Sequence, residues 1–116
     1  MTYHSGNTTT TTPTINSGAS TTIVAAKPFR NFLMIQNNSA ANIALNFEGA
    51  ALTGIVPTST NKCYVLPSTA GSNVVRFDAG FIPAGAITAY QTSGGAINTL
   101  VVIEGWYTLE GSLMPT

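Results

Sequence analysis

The residues able to perform chemistry are few and widely spaced in this sequence. Its only thiol, Cys63, lies in an apolar stretch beside Val65, and its only histidine, His4, lies near the N-terminus. A nucleophilic cysteine needs a base held next to it, and a histidine in the N-terminal segment is poorly placed to provide one. Cys63 is therefore interpreted as a small buried hydrophobic residue. His4 has no Cys or His at ligand spacing and is not expected to bind zinc.

The acidic residues offer no better site. Glu48, Asp78, Glu104 and Glu110 lie far apart in the sequence. Two of them could meet in space as a glycosidase-like pair, but we expect isolated surface charges. The segment around Asp78 lacks the alternating oxygen ligands of a calcium loop. We expect no catalytic residue, no metal site and no cofactor, so the chain is not predicted to be an enzyme.

Three aromatic residues, Tyr90, Trp106 and Tyr107, are candidate binding residues. Trp and Tyr frequently anchor protein interfaces, and rings beside Asn and Thr could also stack on a sugar. We expect these three side chains in the core or in a subunit interface. A glycan-binding platform is the alternative.

Charge is scarce in this chain. Only 7% of its 116 residues are charged, where about 25% is typical. Free monomers usually keep mixed surface charge and a net charge away from zero, so we infer that partners cover much of this surface or that the chain works outside the cell. Its four basic residues are scattered rather than clustered, and clustered charge is what phosphate binding requires. A nucleic-acid partner is therefore not expected.

The hydropathy pattern predicts neither a signal peptide nor a membrane span. No basic segment followed by an apolar one opens the sequence, as a secretory signal would require. No apolar run approaches the ~20 residues of a membrane-spanning helix. We therefore expect synthesis in the cytoplasm and no membrane partner.

Turn residues divide the chain from residue 20 onward into short segments that are typical of β-strands. The predicted strands are 20–26, 32–37, 42–48, 62–66, 73–77, 86–92 and 98–104, with 106–109 as a candidate extension of the last. Strands 86–92 and 98–104 are predicted to form a hairpin around 93–96. No segment of ten residues has a helical period. The fold class is therefore all-β, a single β-sandwich or jelly-roll-like domain over residues 20–110.

Two predicted strands show which side chains face the core. In 42–48, Ile43, Leu45 and Phe47 alternate with less apolar residues and are expected to face inward. In 32–37 both faces are apolar, because Phe32 and Met34 alternate with Leu33 and Ile35. A strand of this kind is expected to be covered on both sides.

The N-terminal residues 1–19 are predicted to be an extended arm, and 111–116 a short C-terminal tail. The arm contains an unbroken threonine run, formed by Thr8, Thr9, Thr10, Thr11 and Thr12. Threonine is β-branched and disfavours a helix, and the arm has little apolar surface to bury. One interpretation is a mobile low-complexity tail. The other, which we favour, is a strap that lies on a neighbouring subunit, where extended backbone can pair with a strand edge.

Four short motifs between residues 31 and 105, at 33–39, 42–47, 78–90 and 98–105, together resemble a pattern in small virion proteins of bacteriophages. In that pattern, an apolar strand ends in a Gln-Asn-Asn turn, here residues 33–39, and a second strand ends near an aromatic residue, here 42–47. A loop with Pro and Gly-Ala-Ile, here 78–90, then leads into a last segment with a Val-Ile-Glu-Gly ending, here 98–105. The threonine-rich arm is not part of this pattern.

The resemblance implies a capsid decoration (cement) protein of a tailed bacteriophage, or a related head or tail accessory subunit. Such proteins are commonly trimeric β-sandwiches seated on the lattice of the major capsid protein, on the virion surface. The expected partners are therefore the major capsid protein and further copies of this chain. A fibre or spike module that binds a glycan or receptor is the alternative. A major coat protein is disfavoured, because the chain is short and lacks helices and a basic inner face.

Overall fold

The computed structural model describes residues 4–109, which form eight β-strands. The strands are β1 (His4–Thr11), β2 (Thr21–Val24), β3 (Arg30–Asn37), β4 (Ile43–Asn46), β5 (Tyr64–Leu66), β6 (Val74–Phe77), β7 (Ile87–Tyr90) and β8 (Leu100–Leu109). Within this range no helix has the length and apolarity that crossing a membrane requires. Glu110 and the predicted tail 111–116 lie outside the described residues.

The strands form two four-stranded antiparallel sheets that pack against each other. The first sheet has the order β1-β8-β3-β6 and the second has the order β2-β7-β4-β5. Only β4 and β5 are consecutive strands of one sheet, and every other connection crosses between the sheets. An eight-stranded double sheet of this kind is a jelly roll. The predicted all-β sandwich is confirmed.

One continuous apolar core fills the space between the sheets. Leu33 and Ile35 of β3 and Val102 of β8 face Leu45 of β4 and Ile87 of β7, and all five side chains are buried. Successive residues of a strand point to opposite faces, so the odd residues of β3 and the even residues of β8 build this core. The inward orientation predicted for Ile43, Leu45 and Phe47 agrees with their packing in or against it.

The predicted hairpin between the last two strands is wrong. β7 lies in the second sheet and β8 in the first, so the chain between them crosses the sandwich. The crossing loop is held by Gln91, whose buried amide donates to the carbonyls of Ile15 and Gly95 and accepts from the N–H of Ser93. Glycines that suit a tight hairpin turn also suit this loop, which is why the sequence pattern misled.

The N-terminal segment belongs to the sandwich rather than forming a separate arm. His4–Thr11 pairs with β8 along its whole length, from His4 opposite Leu109 to Thr11 opposite Val102. Ile15, also inside the predicted arm, is completely buried and exchanges two backbone hydrogen bonds with Ile97. Backbone pairing needs no apolar side chains, so composition alone did not indicate that the domain orders this segment itself.

Candidate interaction surface

The outer face of the first sheet is apolar at its centre. Register places Met34 of β3 opposite Ile103 of β8, with Phe32 opposite Gly105 and Gln36 opposite Val101. Because their neighbours in sequence point into the core, these side chains point outward. Phe32, Met34, Val101 and Ile103 are partly exposed, neither fully buried nor open to solvent. The two central strands therefore present four apolar side chains to the surroundings.

The flanking strands extend this surface, which we call the outer face. It comprises Thr8 and Thr10 of β1, Phe32, Met34 and Gln36 of β3, Val74 and Arg76 of β6, and Val101, Ile103, Gly105 and Tyr107 of β8. Val74 and Tyr107 are 41% and 43% exposed. Arg76 carries the only charge on the face. Its guanidinium lies 5.5 Å from the Phe32 ring centre and 2.9 Å from a carboxylate oxygen of Asp78.

Gly105 keeps the outer face flat where β1, β8 and β3 meet. A Cβ atom at this position would lie 2.9 Å from Oδ1 of Asn31 and 3.4 Å from both the carbonyl oxygen of Asn7 and Cβ of Phe32. Any side chain here would therefore displace the Asn31 amide and lie in direct contact with the two neighbouring strands. The sheet is built for close backbone approach at this point.

The second sheet, by contrast, is covered on its outer side by the chain itself. The long loop 47–63 lies there, and the Thr88 hydroxyl donates to the carbonyl of Ala50 while Leu52 is buried. Asn46, on the same outer side, accepts from the N–H groups of Glu48 and Ala50 and donates to the carbonyl of Lys62. The second sheet is therefore covered on both sides. The same was expected for strand 32–37, which lies in the first sheet, but there only the inner side is covered. On the outer face no side chain is buried.

The threonine run divides between two positions. Thr8, Thr9, Thr10 and Thr11 lie in β1, and Thr12 follows its end. Thr8 and Thr10 align with Gly105 and Ile103 and share the outer face, whereas Thr9 and Thr11 align with Glu104 and Val102 and turn to the other side.

The three candidate aromatic residues are not brought together. Trp106 and Tyr107 are successive residues of β8 and point to opposite sides of the first sheet, while Tyr90 lies on β7 in the second sheet. The Trp106 ring is capped by the Lys27 ammonium, 4.4 Å from its centre. Tyr107 alone of the three lies on the outer face. A shared sugar-stacking platform is therefore not formed.

A buried ion pair closes one end of the sandwich. Arg30 donates from Nε to Glu104 at 3.0 Å, and its other nitrogens donate to the carbonyls of Ala25, Pro83 and Gly85. Lys27 lies 3.2 Å from the second carboxylate oxygen of Glu104. The expectation that Glu104 is an isolated surface charge is wrong, since Arg30 and Glu104 are both more than nine-tenths buried.

The charged residues gather toward this same end. It is formed by the loops 25–29, 47–63 and 78–86, where β2, β4 and β6 end and β3, β5 and β7 begin. The loops at the opposite end, 12–20, 38–42, 67–73 and 91–99, contain only uncharged residues. The uncharged end can therefore approach another molecule without charge repulsion.

The side chains that could take part in catalysis or metal binding are not brought together. Cys63 is half-exposed rather than fully buried as expected, and desolvation raises the pKa of its thiol. It lies with Phe47, Lys62 and Tyr64 along an open groove of about 280 Å³. His4 pairs with Leu109 in the other sheet. Within residues 4–109 no three His, Cys, Asp or Glu side chains are grouped as a metal site would need.

Sequence reasoning missed the outer face as a site, although its signal was present. The doubly apolar pattern of 32–37 predicted cover on both sides, and the described chain leaves Phe32 and Met34 partly exposed. Comparison with known proteins adds no family: no family model matches the chain, and no curated protein matches its sequence.

Proposed function

We propose that this protein is a structural subunit of a virus particle, most specifically a decoration subunit that binds the major capsid protein lattice of a tailed bacteriophage. The observation that carries the proposal is the partly exposed apolar outer face on a chain with almost no charge. A surface of this chemistry gains most from being covered by another protein.

The size of the outer face supports an interaction role. Strands lie about 4.8 Å apart and rise about 3.3 Å per residue, so four strands of these lengths present about 450 Å² in plan. The apolar side chains at its centre occupy part of this area, and exposed apolar patches on monomers are often functional. The face is also electrically neutral, because Asp78 pairs with Arg76. Its complement is therefore another apolar, uncharged protein surface rather than a nucleic acid or a charged ligand.

Repetition on a lattice would convert modest contacts into stable binding. Each subunit buries one small apolar face, and linked contacts on a regular lattice strengthen one another through high effective concentration. A subunit that binds the assembled shell but not its separated components stabilises the shell by mass action. This mechanism needs no catalytic group, metal or cofactor.

The alternative role, a glycan- or receptor-binding module of a fibre or spike, receives less support. Jelly rolls do occur in lectins, but the fold alone does not imply function. The rings expected to form the platform lie on different faces, and Trp106 already stacks against Lys27.

The proposal is tested by copy number. Particles of the virus that encodes the chain are purified, and its ratio to the major capsid protein is measured by quantitative mass spectrometry. We expect hundreds of copies per particle, in a fixed ratio to the capsid protein. A handful of copies would instead assign the chain to a fibre, spike or neck, and its absence from particles would refute a virion role.

A further inference from the structure

One edge of the sandwich differs from the other three. Two four-stranded sheets have four edge strands, here β1, β6, β2 and β5. β2 and β6 have four residues and β5 has three, whereas β1 has eight. Exposed edges invite pairing with other chains, and proteins commonly blunt them by keeping them short or by adding charge, proline or a bulge. Length alone leaves β1 as the edge most open to pairing.

Two of the other three edges carry a further blunting device within the strand. Arg76 lies within β6, and β2 is irregular between Thr22 and Val24. β1 has no Asp, Glu, Lys, Arg or proline, and its register with β8 runs without a shift. Among the described residues it has one strand neighbour, β8. A long, regular, uncharged edge of this kind is a template for another strand.

We propose that β1 pairs antiparallel with β1 of a second copy of this chain, about a two-fold axis through the threonine run. Such pairing is self-complementary, because an antiparallel strand meets its own copy in the same chemistry on both sides. It sets threonines opposite threonines, which is a favourable cross-strand pair, and no like charges meet. Threonine is also a strong strand former. The strand that best fits this edge is therefore β1 of a second copy.

The pairing would join the two first sheets into one continuous eight-stranded sheet. The two outer faces would then lie side by side and double the area of the face to about 900 Å² in plan. The inference deepens the proposed function by giving the docking surface its extent, but it does not depend on the capsid role. Dimerisation is measured on the purified chain alone, so the two can fail separately.

The test uses charge exchange at Thr8 and Thr10, the two threonines of β1 that lie on the outer face. The full chain is examined by sedimentation velocity from about 1 to 100 µM, where we expect a species of twice the 12.0 kDa monomer mass. Thr8→Lys/Thr10→Lys and Thr8→Glu/Thr10→Glu should each dissociate at least about tenfold more readily, because like charges meet across the axis. An equimolar mixture of the two should restore the dimer as a mixed species.

Controls separate pairing from folding. Thr22→Lys places the same charge on the short edge strand β2 and should leave the dimer intact, and circular dichroism should show the parent spectrum for every variant. Rescue in the mixture cannot arise from misfolded chains. A monomeric parent at 100 µM, dimers that resist both charge variants, or a mixture that fails to associate would each overturn the proposal. So would the trimer that the resemblance implies, because two-fold pairing of β1 uses both β1 edges and closes at two copies.

Discussion

At the level of single residues, Glu104 is a buried carboxylate held between two cations. Arg30 bonds one of its oxygens and Lys27 approaches the other. Removing one partner of a buried pair leaves an uncompensated charge, which is far more costly than losing an exposed pair. The same molecule offers the comparison, since Arg76 and Asp78 form an ion pair with both side chains more than half exposed.

We predict that Glu104→Gln lowers the free energy of unfolding by about 3 kcal/mol, because Arg30 then remains buried with no anion. Asp78→Asn, the matched exposed change, should alter it by no more than about 0.5 kcal/mol. Urea unfolding monitored by tryptophan fluorescence measures both. Equal effects for the two variants would contradict the structural role assigned to the Arg30–Glu104 pair.

Sequence patterns give little information about such pairs. Alternation in β8 sets Glu104 on the same side as Val102, which suggests an inward side chain, but its partner Arg30 lies 74 residues away. Only the jelly-roll topology brings the two together. The hydrogen bonds of the buried Asn37 side chain are in part predictable from sequence. The local bond from the Ser39 N–H to Asn37 follows from the turn chemistry of Asn and Ser. The bond from Asn37 to the carbonyl of Leu66 does not.

At the level of elements, β1 is the segment whose role changed most. Composition suggested a free or docked arm, whereas the structure pairs eight of its residues with β8. Turn residues and periodicity located the other strands well, since most of them carry apolar side chains at spacing two. It could not locate β1, whose threonines and single glycine look alike on both faces, nor assign β7 and β8 to different sheets.

Deleting residues 1–11 should therefore destabilise the domain itself. Loss of β1 removes a full row of backbone hydrogen bonds, each worth about 0.5–1.5 kcal/mol net, and exposes the edge of β8. We expect the free energy of unfolding to fall by about 3 kcal/mol or more, measured as a lower urea midpoint. An unchanged midpoint would show that the segment is an independent arm after all.

At the level of the whole molecule, the two sheets have different surroundings. Loop 47–63 covers the second sheet, while the first exposes an apolar face beside an open edge strand. One end of the sandwich carries the charged residues and the other carries none. The fold class and the low charge were readable from composition and strand spacing. The location of the uncovered face was not, because it depends on which strands become neighbours.

The central claim is that the outer face binds the capsid lattice, and it is tested most directly by changing that face without changing the net charge. Met34 and Ile103 lie opposite each other on adjacent strands. Met34→Lys/Ile103→Glu therefore forms a favourable cross-strand pair and should keep the fold. The matched control, Val56→Lys/Ser59→Glu, places the same charges on the exposed part of loop 47–63.

The measurement is co-sedimentation of each purified chain with particles assembled without it. We predict that the parent and the loop variant bind equally, while the outer-face variant binds at least about tenfold more weakly, because its two charges must lose water on docking. If the outer-face variant binds as tightly as the parent, the outer face is not the surface that contacts the capsid.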